Sequence, residues 1–148
     1  MPERKLSYES LSHHSNAGFR IKAPSLQRLF IDSALALTDF MARVDTIDEK
    51  DRKPLKAQGG NREELMFAWL TKINALFERD KFLCKRIVFN HFDGKKIEAT
   101  AFGETHDPFR HGSLPEMKTF GTPPVEMGDF EDSREPENLF YARVFFKR

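Results

Sequence analysis

Apolar side chains recur at three- and four-residue intervals in two stretches of this chain and in shorter, strand-like runs elsewhere. Leu26, Leu29, Phe30, Ala34, Leu37 and Met41 form the first stripe, and Pro24-Ser25 ahead of it supplies a break and an N-cap, which predicts an amphipathic helix. Leu65, Trp69, Ile73 and Leu76 form the second, behind Gly59-Gly60 and the capping sequence Asn61-Arg62-Glu63-Glu64. Residues 6–21 read as two short extended segments folded about His13-His14-Ser15-Asn16-Ala17-Gly18, with Gly18 available for a positive φ. A short strand should end at Gln58. Residues 82–90 and 96–103 are rich in strand formers and flank Asp93-Gly94, a pair suited to a type I′ hairpin turn. A strand over 116–120 should be limited by Pro123-Pro124, and residues 139–146 close the chain as a strand. The polar runs 45–53 and 128–138 read as solvated connections, and the strand pattern loosens over 104–112.

The order extended segment, helix, pair of strands occurs twice, with the second copy, roughly residues 52–103, inside the first. This predicts one α+β domain over residues 1–148, a length ordinary for a single core. Fifteen phenylalanines stand against two tyrosines and one tryptophan, so most rings are expected in the core and a few at a contact surface.

Charge narrows the function classes. Twenty-four basic and twenty-three acidic residues leave a net charge of +1, without the basic field a phosphate-backbone binder presents, so no strong direct binding of nucleic acid is expected. Cys84, the only cysteine, can form neither an internal disulfide nor a multi-cysteine zinc site and reads as a buried thiol. The first residues contain no apolar signal segment, and Asp32 and Asp39 interrupt the most apolar stretch, so no membrane association and a cytoplasmic location are expected.

The motifs of serine nucleophile elbows, phosphate-binding glycine loops and His-Glu-x-x-His zinc helices are missing. His13, His14, His106 and His111 lie near Glu104 and Asp107 in sequence, which leaves two readings open: turn-capping hydrogen-bonders, or ligands of a transition metal or zinc. On a strand, His13 and His14 would point to opposite faces, so at most one could serve an ion. Residues 103–111 allow the same two readings. Asp107-Pro108 is an ordinary turn starter and Arg110 an ordinary ion-pair partner, yet an acid, a guanidinium and an imidazole together could hold a carboxylate, a phosphate or a metal-bound water. A minor alternative is an acid/base enzyme using Glu104, Asp107 and His111.

Those residues resemble a known family, the archeases, small accessory proteins of the RNA-splicing ligase. His13-His14-Ser15-Asn16-Ala17-Gly18 occupies the place of the family's His-Thr-Ala-Asp-Val-Gly. Glu63-Glu64-Leu65, Trp69-Leu70 and Leu76-Phe77 match a family helix; Gly103-Glu104, Asp107-Pro108, Arg110-His111 and Lys118 resemble its Gly-Glu-Pro-x-Asp-Pro-x-Arg-His segment and following Val-Lys; Ala142-Arg143-Val144 also fits. The resemblance implies an archease-like α+β fold of two strand-helix-strand-strand modules, one inserted in the other, with a mixed sheet packed by two main helices. It implies a non-catalytic, chaperone-like role in tRNA splicing, promoting activation and turnover of an RNA-splicing ligase or related RNA-processing enzyme through protein contact.

The family also implies a divalent metal such as calcium, held between the Asp of the N-terminal motif and an Asp near the C-terminus. Here Asn16 and Lys147 stand at those positions, Lys72 replaces a helical acid, and Pro123 takes the place of a histidine. At ~4 Å and an effective dielectric of about 20, each opposed charge shifts cation binding by about 4 kcal/mol, so the family's metal site is expected to be missing. The expected functional surface comprises His13, Asn16, Lys72, Glu104, Asp107, Arg110, His111 and Lys147, with no catalytic residue and no metal ligand. A second reading keeps the scaffold as a binding module whose Lys72 and Lys147 favour an anionic ligand or acidic protein surface.

Overall fold

A computed structural model describes residues 8–12, 16–112, 120–130 and 139–147. The elements in chain order are β1 (Glu9–Ser12), β2 (Asn16–Ala23), α1 (Leu26–Met41), a single 3₁₀ turn (Val44–Thr46), β3 (Asp51–Gln58), α2 (Arg62–Asp80), β4 (Phe82–Phe92), β5 (Lys96–Thr105), the one-turn α3 (Pro108–His111), β6 (Phe120–Phe130) and β7 (Leu139–Lys147).

Both long helices start where the sequence places their caps. The Ser25 side chain accepts from the Arg28 N–H at 3.1 Å, and Asn61 Oδ1 accepts from the Glu64 N–H at 2.9 Å. Glu64 reaches back to the Gly60 N–H at 2.8 Å, so the acid in the capping sequence satisfies a second orphan donor. α2 ends at Lys81, whose φ of 55° lets its N–H close onto the Leu76 and Phe77 carbonyls.

In place of one mixed sheet, the strands form two, in the orders β1-β2-β7-β6 and β3-β5-β4, with every pairing antiparallel. β2, α1, β6 and β7 thus form an outer strand-helix-strand-strand unit around an inner one of β3, α2, β4 and β5. The units interlock: α1 packs on β2 and β7 but also on β4, and α2 on β3 and β4 but also on β6. One apolar core crosses both, from Phe19, Ile21 and Leu37 of the outer unit to Leu65, Trp69 and Ile97 of the inner. Rings supply much of it: Tyr8, Phe19, Phe40 and Phe146 pack mutually on one side, and Phe30, Trp69, Phe89 and Phe92 on another. Cys84 is buried, and burial pushes its thiol up to about 12. Among the described residues, no helix is long and apolar enough to cross a membrane.

Six further expectations need correction. The polar run 45–53 is shortened by β3, which begins at Asp51 because Asp51, Arg52 and Lys53 pair with Gly103, Phe102 and Ala101 of β5; the ladder outweighs their charge. Residues 104–112 are not loose, since β5 continues to Thr105 and α3 follows. The hairpin turn is not type I′, which needs positive φ at both central residues, because only Gly94 has one, at 87°. β6 runs through Pro123-Pro124 to Phe130; it is an edge strand, and the prolines fall in the register shift between Phe120 and Val125, where no residue has a ladder partner in β7. It also takes in residues 128–130 of the supposed final loop.

Gly18, finally, does not serve as a positive-φ turn residue but sits inside β2. A Cβ there would lie 1.9 Å from the Val144 carbonyl oxygen, and one on Gly103 of β5 would lie 1.9 Å from that of Leu83. In each sheet the partner backbone approaches so closely that only glycine fits. His13, His14, Lys118, residues 116–119 and residues 131–138 lie outside the described residues.

Candidate functional site

The end of β5 carries Glu104 into a buried position, 4% exposed, beside the segment that leads into α3. Asp107 starts that turn: its Oδ1 accepts from the Phe109 N–H at 2.9 Å, and Pro108 fills the first helical position, where no N–H is needed. The turn brings Arg110 and His111 back over Glu104. Arg110 Nη1 donates to Glu104 Oε1 at 2.5 Å, while its Nη2 donates to the Thr46 carbonyl at 2.9 Å and to Asp48 Oδ2 at 3.0 Å. The Asp48 N–H donates to Glu104 Oε2, and Lys50 Nζ lies 3.7 Å from Oε1. His111 accepts the Asp107 N–H on Nδ1 at 2.9 Å, which puts its proton on Nε2, 3.4 Å from Glu104 Oε2.

Burial alone would raise the Glu104 carboxyl. The Arg110 hydrogen bond, the Asp48 N–H and the charge of Arg110 together outweigh it and hold the group down to about 2. At neutral pH Glu104 is therefore a carboxylate whose oxygens are occupied by donors. The cluster behaves as a latch that ties residues 46–50 to residues 104–111. Among the described residues, no three His, Cys, Asp or Glu side chains converge as a metal set.

Glu104, Arg110 and His111 thus meet as predicted, whereas the Asp107 carboxylate turns to cap its own helix. Lys72 lies on the exposed face of α2, in a groove with β3 rather than in the latch. Asn16 and Lys147 face each other in register at the ends of β2 and β7. The two exchanged positions are therefore backbone partners across the outer sheet, and an asparagine and a lysine do not supply the two carboxylates that a divalent ion would need. Asp48, Lys50 and the Thr46 carbonyl complete the latch although the sequence reading passed over them. Arg110 reaches Asp48 and Thr46 across 62 and 64 residues, separations that no local spacing encodes. At the apex of the turn Phe109 is 98% exposed.

Interlocked strand-helix-strand-strand units over a shared core, with a latch closing the end of the inner sheet, define a small α+β scaffold of the archease type. The archease protein family model matches residues 8–122. Protein archease of Methanopyrus kandleri is 30% identical over 129 residues, covering 84% of this chain and 92% of that protein. The archease-like protein of Drosophila melanogaster is 28% identical over 121 residues, covering 80% of this chain and 76% of its own. The solution structure of Methanobacterium thermoautotrophicum protein 1598 shares the fold, with a TM-score of 0.70 at 17% identity over 97% of this chain and 100% of that one. The chain belongs to the archease family.

Proposed function

We propose that this archease-family chain is a non-catalytic accessory factor that helps an RNA-splicing ligase reach its guanylylated state and turn over repeatedly, acting through protein contact. The observation that carries this reading is the family segment from Gly103 to His111. Its side chains are spent on one another, so it performs no proton chemistry, yet they hold out a fully exposed aromatic ring at Phe109. A ring held in water by a pinned turn is the form an interface anchor takes. Purified protein should co-purify with the ligase of its own organism and raise multiple-turnover guanylylation. Phe109→Ala should weaken that association by about tenfold or more, at unchanged melting temperature, because Phe109 packs on nothing that stabilises the fold. No association and no gain in turnover would remove the proposal.

We also propose that the family's divalent site is lost in this chain. The register pairing of Asn16 with Lys147 supports this, because the residue types at the paired positions offer a cation an amide and a like charge in place of two carboxylates. Calorimetric titration with calcium or manganese should give no specific heat for the natural protein, and the double substitution Asn16→Asp with Lys147→Asp should create one-to-one binding. Stoichiometric micromolar binding by the natural protein would refute the loss. The alternative role as a binding module is favoured by the groove that holds Lys72.

A further inference from the structure

A groove of about 310 Å³ runs between β3, which is an edge strand of the inner sheet, and the outer face of α2. Its floor is apolar, with Pro54 and Leu55 from the strand and Ala75 and Leu76 from the helix. Three basic residues line it, Lys56 from β3 and Lys72 and Arg79 from α2; because Leu55 and Ala57 are the buried positions of β3, the Lys56 side chain points to the other face of the sheet, where Glu98 is its partner in register. Arg79 shares Asp80 with Lys53, at 3.5 Å and 3.8 Å. Lys56 and Lys72 have no ion pair or hydrogen bond among the described residues. Exposed lysines scattered singly need no explanation, but the unneutralised Lys72 ammonium and the half-neutralised Arg79 guanidinium, on one helix face beside an apolar floor, make a local positive field on a chain of net charge +1.

The groove constrains its occupant. A strand added to the β3 edge would meet Pro54, which has no N–H to offer, so recognition falls to side chains rather than to a backbone ladder. A single-stranded nucleic acid would want aromatic platforms on which to stack its bases, and no lining residue is aromatic. An extended peptide fits the spacing. Lys72 and Arg79 are two helical turns apart, about 10.5 Å along the axis. Alternate residues of an extended chain point the same way at intervals of roughly 6.8 Å, so an acid, an apolar residue and an acid at i, i+2 and i+4 would lie along one face. The long side chains of Lys72 and Arg79 span the difference, and the middle residue would meet Ala75 and Leu76.

We propose that the groove between β3 and α2 is a docking site for an extended acidic segment of a partner protein, which sets an apolar side chain on the Ala75–Leu76 floor between carboxylates paired with Lys72 and Arg79. The site is separate from the latch at Glu104 and stands whether or not a ligase is the partner.

Fluorescence anisotropy with a short labelled peptide centred on Glu-Ser-Leu-Ser-Glu tests it, beside a scrambled peptide of the same composition and a short single-stranded oligouridylate. The ordered peptide should bind, lose affinity by about tenfold on Lys72→Glu or Arg79→Glu, and weaken steeply between about 50 mM and about 500 mM salt. Both substitutions are on an exposed helix face, and circular dichroism checks that each variant folds. No binding of the ordered peptide, equal binding of the scrambled one, insensitivity to both variants, or tighter binding of the oligouridylate would each overturn the proposal.

Discussion

Glu104→Gln is expected to lower stability by about 3 kcal/mol at neutral pH, and the loss should fade in acid. The magnitude follows from linkage: the carboxyl falls from its ordinary 4.5 to about 2 in the folded protein, and each unit is worth roughly 1.4 kcal/mol. The sign follows from the direction. A carboxyl lowered by folding contributes its stability above the unfolded value of about 4.5 and loses it as the pH falls toward about 2. Urea unfolding of the natural protein and the variant should therefore differ fully at about pH 7, and by less than half of that at about pH 3. Arg110→Ala should show the same acid convergence, because it removes the first of the groups that hold the carboxyl down. A gap that stays constant from neutral pH into acid would mean that the latch charge contributes nothing and that the variant acts by packing alone.

The parts of this architecture that could be read from the residues are those that local chemistry controls. The helical stripes from Leu26 and from Leu65, with Ser25 and Asn61 capping them, need only neighbours three or four residues away. The strand that ends at Gln58 is legible too, but its start at Asp51 is not, because its only buried positions are Leu55 and Ala57; Asp51, Arg52 and Lys53 are in a strand because β5 offers them a ladder. The closeness that makes Gly18 and Gly103 obligatory is likewise a property of partner strands, Val144 and Leu83, far along the chain. At the candidate site, Glu104, Arg110 and His111 were legible as a group because the turn that joins them is short. Asp48, Lys50 and Thr46 were not, since a run of mixed charge carries no signal that it will be pinned elsewhere. Phe109 runs against expectation: a ring is normally a core residue, and only the folded turn shows that this one has nothing to pack on.

Trp69→Ala should be the most damaging single change to the fold, costing about 3–5 kcal/mol, because it empties the centre of the core at the seam between the two units. The indole sits on α2 of the inner unit, is fully buried, and donates its Nε1–H to the Phe30 carbonyl of α1 in the outer unit at 2.9 Å. It also meets Phe89 edge-to-face, with ring centroids 5.7 Å apart. Trp69→Phe separates these contributions: it keeps most of the ring contact but leaves the Phe30 carbonyl without that donor, and should cost about 1–3 kcal/mol. Because the residue joins the units rather than serving one of them, both variants should still unfold in a single transition with an unchanged denaturant slope, only at lower denaturant. If Trp69→Ala instead produces two transitions, the inner unit has a stability of its own, and the shared core is an association of two modules rather than one cooperative structure.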